Sequence, residues 1–244
     1  KTEPTLIDKI DEKSDELSSI RKLLDEVKLG NKSNSSSMTS VLSARGNYTV
    51  FAPNDEAVKQ CVIELTGDET GNIESLSYEQ KQLIVLNCII DNGDASAYES
   101  VEFPTSNQTF ALSNLNNRRL KCMQDAESHD YFINGDATSG SRVVETDYEC
   151  TNGMLHVVSK VILPSTKSVS ELISSADNMH IFGKLLRETG LYDELALHRT
   201  EEIAYEEEHS AYAGSKVYES TTNNNFDYQA TRNVAFTAFV EPDE

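Results

Sequence analysis

Apolar positions early in the chain recur at the spacing of an α-helix. Residues three or four positions apart share one face of a helix, so such a set predicts an amphipathic helix packed on a core. The first set consists of Leu17, Ile20, Leu24 and Val27. The stretch that follows, Lys28 to Arg45, is rich in Ser, Asn and Gly, which is typical of a flexible loop.

Two further helices are predicted from N-cap residues. Asn54 precedes an apolar stripe whose spacing predicts core packing. The stripe consists of Val58, Cys61, Val62 and Leu65. Ser77 and Gln80 form a capping box. The segment after it, Leu83 to Ile90, is apolar nearly all round and is therefore expected to be buried.

β-Branched and aromatic residues mark the predicted strands. Tyr48 to Ala52 is one strand, which Pro53 ends. Asn152-Gly153 signals a tight turn before a long apolar strand, Met154 to Leu163. Shorter strand-like segments are Thr109–Leu112, Arg119–Cys122, Tyr131–Ile133 and Arg142–Val144. Helices gathered early and strands gathered late predict an α+β fold.

The chain repeats part of itself. Residues 6–29 return in outline as residues 172–191, and Lys22-Leu23-Leu24 corresponds to Lys184-Leu185-Leu186. The two copies also open alike, because each begins with a capping-box pattern. These patterns are Thr5 with Asp8, and Ser168 with Glu171.

A second match extends the repeat into the first strand. Tyr48 to Phe51 returns as Phe236 to Phe239, and Asp55-Glu56 returns as Asp243-Glu244. A period of about 160 residues is that of whole domains rather than of solenoid units. The sequence therefore predicts a complete domain at residues 1–164 and a partial second copy at 165–244, with an insert at about 192–232. We expect the natural protein to be longer.

Charge narrows the classes of partner. The net charge is −20, and like charge argues against binding to nucleic acid or direct adsorption on anionic lipid. No apolar run approaches the roughly 18 residues of a membrane span. The chain begins at Lys1 without the pattern of an export signal, so secretion cannot be inferred directly.

The cysteines give little sign of a metal or redox site. Cys61, Cys88, Cys122 and Cys150 are widely spaced and form no CxxC pair, whereas zinc sites and redox motifs usually contain close pairs. Buried free thiols and disulfides in one of three pairings both remain open. Free thiols are favoured, because free cysteine is among the most buried residue types.

Two segments carry a resemblance to a known family. Tyr48 to Ala57 (YTVFAPNDEA) resembles the first signature box of fasciclin (FAS1) domains, and Asn152 to Val158 (NGMLHVV) resembles the second. The similarity covers residues from about 5 to 164. It implies a compact wedge of two β-sheets with several helices, usually secreted or displayed at a cell surface and used in adhesion. Tandem copies resemble bacterial surface lipoproteins, which implies a lipid anchor upstream of Lys1.

The resemblance also bears on two positions that are candidates for function. In animal members a Tyr-His pair near the end of the buried helix is linked to integrin binding. Asn87 and Cys88 stand at the matching positions here, which argues against integrin recognition. His156 has no partner at ligand spacing and is expected to be a hydrogen-bonded core histidine. The other histidines, which we expect at the surface, are His129, His180, His198 and His209.

The insert at residues 192–232 is acidic and rich in tyrosine. Its carboxylates at Glu201-Glu202 and Glu206 to Glu208 suggest calcium, but no calcium loop motif is present, and such a run is usually solvated. Asp91 to Asp94 likewise lacks the later ligands of a calcium loop and is predicted to be a turn. Four tyrosines are candidates for a sugar- or protein-facing surface, although loop or hairpin packing is favoured. They are Tyr205, Tyr212, Tyr218 and Tyr228.

The functional expectation is a non-enzymatic protein. The sequence contains no nucleophile elbow, zinc-protease, phosphate-loop or dinucleotide motif, so no catalytic residue, cofactor or metal ligand is assigned. An extracellular or cell-surface adhesion module that binds a protein or matrix component is favoured, and its partner-binding residues are unknown. The alternatives are a glycan-binding accessory surface protein and an architectural spacer.

Overall fold

The computed structural model describes residues 3–30, 35–165, 167–196, 200–203, 230–233 and 236–243. The chain divides into two compact units, Lys1–Pro164 and Ser165–Glu244. The first unit holds nearly all of the buried apolar residues. Each unit is described by itself.

Five α-helices occur in the described part of the first unit, and capping side chains begin four of them. The helices are α1 (Leu6–Glu12), α2 (Ser18–Glu26), α3 (Met38–Ser43), α4 (Asp55–Thr66) and α5 (Tyr78–Asn87). Thr5 and Ser77 form the predicted capping boxes of α1 and α5. The Asn54 side chain accepts a hydrogen bond from the backbone of Ala57, as predicted for the start of α4.

Seven strands of the first unit form a mixed sheet in the order β2-β1-β7-β6-β5-β4-β3. The strands are β1 (Tyr48–Pro53), β2 (Ile89–Asp91), β3 (Ser106–Thr109), β4 (Lys121–Gln124), β5 (Tyr131–Ile133), β6 (Ser141–Cys150) and β7 (Gly153–Val158). β1 and β7 pair in parallel, and every other pair is antiparallel.

The seven strands form one continuous sheet, whereas the resemblance implied a wedge of two β-sheets. β6 is ten residues long and pairs with β5 near its start and with β7 along the rest. Its register against β7 shifts twice, between Val143 and Glu145 and between Glu145 and Tyr148. Such bulges bend a strand and increase its twist, so the sheet curls at β6 instead of separating.

The core has two parts, one on each face of the central strands. Val50 and Leu155 belong to a large cluster that includes the buried side chains of α1, α2, α4 and α5. Phe51 and Val158 belong to a second cluster that contains Phe110. Because successive residues of a strand face opposite sides, a strand covered on both faces has an unbroken apolar sequence. That accounts for the apolar runs in the two signature boxes.

Asn152 and Gly153 tie the second signature box to the helices. The Asn152 side chain accepts from the backbone N–H of Leu6 at 2.9 Å and donates to the carbonyl oxygens of Leu42 and Ala44. Gly153 has φ +155°, and a Cβ at this position would collide with the carbonyl oxygen of Tyr48. Only glycine therefore permits this close approach of β7 to β1.

Three details of the sequence prediction are wrong. The predicted loop at 28–45 contains α3, because Ser37 caps a helix that buries Met38 and Leu42. The last strand ends at Val158 and does not reach Leu163. Of the short strands, Tyr131–Ile133 has the predicted bounds, but β3 and β4 are displaced by three and two residues. β6 extends to Cys150 because it pairs along nearly the whole of β7.

The second unit contains helices α6 (Val169–Ser175), α7 (His180–Glu188) and α8 (Leu191–Leu195). Ser168 and Glu171 form the predicted capping box. Two strands, β8 (Thr200–Ile203) and β9 (Ala230–Asn233), pair antiparallel at the ends of the insert. Residues 236–243 form no strand, although Phe236 to Phe239 repeats the sequence of β1. A strand needs a paired neighbour, and among the described residues this segment has none.

Candidate functional site

His156 lies at the centre of the aromatic cluster and is fully buried. Its ring stacks on Phe51 at a centroid distance of 5.3 Å and meets Phe103 edge-on at 4.9 Å. Nδ1 accepts a hydrogen bond from the backbone N–H of Asp147 at 3.2 Å. The ring proton therefore lies on Nε2, which donates to the carbonyl oxygen of Tyr98 at 2.9 Å. The prediction of a hydrogen-bonded core histidine is confirmed.

The electrostatics of His156 favour the neutral ring. Burial lowers the pKa of His156, and the hydrogen bond to Tyr98 and the charge of Asp147 only partly oppose this effect. Both ring nitrogens are occupied by backbone groups. The ring therefore joins the bulged part of β6 to the turn that begins at Tyr98, and it has no nitrogen left for a ligand.

The segment from Tyr98 to Phe103 is a surface turn fixed to this core. The backbone N–H of Tyr98 donates to the Thr49 hydroxyl at 2.8 Å. The backbone N–H and hydroxyl of Ser100 donate to the two carboxylate oxygens of Asp147 at 2.7 and 2.5 Å. At the far end Phe103 is buried. The turn is thus held at both ends and in the middle.

Asp147 is adapted to hold the turn. Its φ of +65° lies in the left-handed region, which non-glycine residues seldom occupy. Burial raises the pKa of its carboxyl group, but hydrogen bonds from Ser100 and Thr146 and a charge interaction with His156 together lower the pKa overall. Asp147 is therefore ionised at neutral pH and accepts both bonds from Ser100.

Val101 is the residue that this turn presents to solvent. It lies in the 3-10 helix Ser100–Glu102, and 80% of its surface is exposed, the largest fraction among the exposed large apolar residues of the first unit. Glu99 and Glu102 flank it and form a capping box, in which the backbone N–H of Glu99 donates to Glu102 at 3.0 Å. An apolar side chain with an acidic rim, held on a rigid support, is the candidate functional site of this chain.

Sequence reasoning did not find this site. In the sequence, the site is marked only by one valine between two glutamates, in Glu99 to Glu102. Such a pattern is common in an acidic chain and does not indicate a binding site. The hydrogen bonds that fix the turn come from Thr49, Asp147 and His156, which are distant in sequence. Only the fold brings them together.

Comparison with known proteins identifies the family. A fasciclin domain model matches residues 16–164. The chain belongs to the fasciclin domain family. Among solved structures, the FAS1 domain pair of the insect cell adhesion molecule fasciclin I is 16% identical to this chain, with a TM-score of 0.35. The match covers 64% of this chain and 50% of that one, so this chain spans about half the length of the solved pair. No curated protein matches the chain.

Fasciclin domains generally serve in adhesion and interaction, are generally non-enzymatic and occur in extracellular and cell-surface proteins. No helix in the described ranges has the length and apolar composition needed to cross a membrane. In the same ranges, no group of three or more His, Cys, Asp or Glu side chains is placed to hold a metal ion.

The positions of the fasciclin Tyr-His pair lie inside the domain. Asn87 is fully buried, its amide donates to the carbonyl oxygen of Ile162 at 2.9 Å, and its side-chain oxygen accepts from Asn114 at 2.9 Å. Cys88 is also buried, and its thiol lies 3.2 Å from the carbonyl oxygen of Val85. Neither side chain is available to a surface ligand.

The four cysteines and the Asp91 to Asp94 segment of this fasciclin domain are in environments that favour a structural role. All four cysteines are buried free thiols, and burial raises the pKa of Cys88 and Cys122 to about 12. The Asp91 to Asp94 segment is a turn, in which the Asp91 carboxylate accepts from the backbone N–H of Gly93 at 2.9 Å.

The remaining histidines and the insert are only partly described. His129 and His180 are exposed, as predicted. Of the insert, the structure describes residues 192–196, 200–203 and 230–233. Several sequence-predicted residues lie outside the described ranges: His198, Tyr205, Glu206 to Glu208, His209, Tyr212, Tyr218 and Tyr228.

Proposed function

We propose that this chain is a non-enzymatic adhesion module of an extracellular or cell-surface protein, and that it binds a partner protein through the turn that carries Val101. The observation that carries the proposal is the 80% exposure of Val101 on a turn fixed to the buried core. An exposed apolar residue is costly in water, and a rigid support lowers the entropy lost on binding. Both features favour recognition of a preformed partner surface.

The chemistry of the turn defines the partner. Val101 fits a small apolar depression, and the carboxylates of Glu99 and Glu102 on either side fit basic side chains around it. The net charge of −20 also attracts a basic partner at longer range. The partner is therefore a protein with a basic, shallow apolar site.

The non-enzymatic part of the proposal rests on the surroundings of the reactive groups. The ring nitrogens of His156 are bonded to backbone atoms, and the thiols of Cys61 and Cys150 are buried, with pKa values raised to about 11. A protonated, buried thiol is a poor nucleophile. These surroundings favour a structural role for the three side chains.

We also propose that residues 165–244 open a second copy of the domain. α1 and α6 have seven residues each, and α2 and α7 have nine each. Both α1 and α6 begin with a capping box. In addition, Asp55 and Asp243 make corresponding hydrogen bonds to α2 and α7. These likenesses support a tandem arrangement.

The experiment is a binding array of extracellular-matrix proteins and of host and microbial polysaccharides, probed with the whole chain in the presence and absence of calcium. Saturable binding to a protein, weakened by added salt, is expected because the turn is acidic. Binding to polysaccharides alone would replace this proposal with the glycan-binding alternative. Binding to nothing on the array would favour an architectural spacer.

A further inference from the structure

The sequence contains four Asn-x-Ser/Thr motifs, the acceptor pattern for an N-linked glycan. They begin at Asn31, Asn34, Asn47 and Asn107. Asn31 and Asn34 lie outside the described ranges. The structure distinguishes the other two, because the Asn107 motif is exposed throughout and the Asn47 motif contains a buried threonine.

The Asn107 motif lies on β3, the last strand at one side of the sheet. All four residues of β3 are exposed, and none of them is apolar. Within the ranges described, β3 pairs only with β4, so its other edge is unpaired. The strand therefore presents Asn107 on an accessible polar surface and not on an apolar interface.

The side chains of this motif have no internal partner. In the described part of the chain, neither the amide of Asn107 nor the hydroxyl of Thr109 makes a hydrogen bond. Asn107 lies in a bulge, where the register against β4 shifts, and has φ +54°. Asparagine tolerates this left-handed conformation, so the bulge by itself accounts for Asn107. It does not account for an exposed threonine two residues later.

The Asn47 motif is withdrawn when the domain folds. Thr49 is fully buried, and its hydroxyl donates to the side-chain oxygen of Asn92 at 2.9 Å and accepts from the backbone N–H of Tyr98 at 2.8 Å. The amide of Asn47 donates to the carbonyl oxygen of Gly93 at 2.9 Å. Both polar side chains of this motif therefore serve the fold.

We propose that Asn107 is the acceptor of an N-linked oligosaccharide. The donor is an oligosaccharide joined to a lipid carrier through a diphosphate, and an oligosaccharyltransferase of the secretory pathway catalyses the transfer. The side-chain nitrogen of Asn107 forms a bond to the anomeric carbon of the first sugar and loses one proton. The bond from that carbon to the diphosphate oxygen breaks, and the lipid diphosphate leaves with its electron pair.

The glycan at Asn107 protects the open edge of the sheet. Unpaired backbone groups at a sheet edge are a template for pairing with another chain, and natural proteins usually cover or interrupt such edges. An N-linked glycan is bulky and solubilising, so it suits this position. The inference rests on the extracellular location in the proposed function but not on the Val101 turn.

The test is secretion of the whole chain from a eukaryotic cell behind an added export signal. Peptide N-glycosidase in heavy-oxygen water converts each glycosylated asparagine into labelled aspartate, which mass spectrometry locates. Label is expected at position 107 in the wild type. Asn107→Gln and Thr109→Val should lose this glycan, whereas Thr109→Ser keeps the hydroxyl and should retain it. Because β3 is exposed, the three variants are expected to fold.

Occupancy that follows this pattern supports the site. The proposal is overturned if Asn107 is unmodified in the secreted wild-type chain, or if its modification survives Thr109→Val. The added signal imposes secretion, so a negative result reports on the motif and not on the location of the natural protein. Val101→Asp should leave the glycan in place, which separates failure of this proposal from failure of the adhesion proposal.

Discussion

The carboxylate of Asp243 accepts a hydrogen bond of 2.9 Å from the backbone N–H of Ile181, 62 residues earlier in the chain. In the first unit, Asp55 accepts one of 2.7 Å from Ser19. The correspondence continues in the main chain, where Asp243 donates to the carbonyl oxygen of Asn178 and Asp55 donates to that of Glu16. In both units an aspartate carboxylate thus ties the start of the second helix to a segment that is distant in sequence.

Asp55→Ala is expected to lower the free energy of unfolding of the first unit by about 1–2 kcal/mol, because it removes an N-terminal cap supplied from outside the helix. Glu56→Ala is the matched control, since Glu56 is exposed and adjacent. Urea denaturation measures both variants. Equal stability of the two variants would contradict a capping role for Asp55.

The backbone N–H groups of His180 and Ile181 donate hydrogen bonds to the Asp243 carboxylate. Asp243→Ala is therefore expected to speed amide hydrogen exchange at both residues without changing the unfolding of residues 1–164. Hydrogen exchange with residue resolution measures this. The pKa of Asp243 is lowered, first by its hydrogen bond from Ile181, so acidification below its ordinary value of 3.8 should have the same local effect as the substitution. Unchanged exchange in the variant would show that the contact contributes nothing.

The pH dependence of stability should report on His156. Because its pKa is lowered in the folded state, the unfolded chain takes up the proton first as the pH falls below 6.5. The contribution of neutral His156 to the free energy of unfolding is complete above pH 6.5. It is lost as the pH falls towards the lowered pKa of the folded state, and the free energy then changes by at most about 1.4 kcal/mol per pH unit. His156→Gln should remove this slope between about pH 6.5 and 5.

Exposed His129 provides the control for that experiment. His129→Gln should leave the slope of the free energy of unfolding against pH as it is in the wild type. Measurements stop at about pH 5, because carboxylates with ordinary pKa values of about 4 begin to take up protons at lower pH. A slope that survives His156→Gln would contradict the account of the buried ring.

The cysteines should react only when the chain unfolds. Burial raises the pKa of Cys61 to about 11 and that of Cys88 to about 12, so the nucleophilic thiolate is scarce at pH 8. A thiol reagent should label four groups in denaturant and react far more slowly with the native chain. Fewer than four groups in denaturant without reductant would show a disulfide in place of the free thiols.

Asn87→Leu tests the buried amide network. The substitution keeps a similar volume but leaves the carbonyl oxygen of Ile162 without the Asn87 donor, and the Asn114 amide keeps only its bond to the backbone oxygen of Asn87; the expected cost is about 1–3 kcal/mol. Asn116→Leu is the comparison, because its contact with Asn87 is longer, at 3.4 Å, and only partly buried. A loss no larger than that of Asn116→Leu would argue that Asn87 is not structurally required.

Local signals in the sequence were sufficient for much of the fold. The caps at Thr5, Asn54 and Ser77 and the apolar stripe of α2 form as predicted, because a cap and a helical face depend on residues close in sequence. The helix α3 was missed because its two buried residues are too few to show a period. The single curled sheet was missed because it depends on where β6 changes register, which is decided by pairing with β7.

The candidate sites depend on contacts that a sequence does not display. Exposure of Val101 is set by Ser100 and its two hydrogen bonds to Asp147, a residue 47 positions away. In contrast, the buried state of His156 could be inferred from its place in an apolar run.

Titration of the whole chain against the protein identified on the array tests the central claim most directly. Val101→Asp should weaken binding by about tenfold or more, since it places a charge where an apolar contact is required. Thr105→Asp, which adds the same charge at a nearby exposed position, should bind as wild type does. Wild-type affinity in Val101→Asp, with both variants folded, would contradict the assignment of the Val101 turn as the adhesion site.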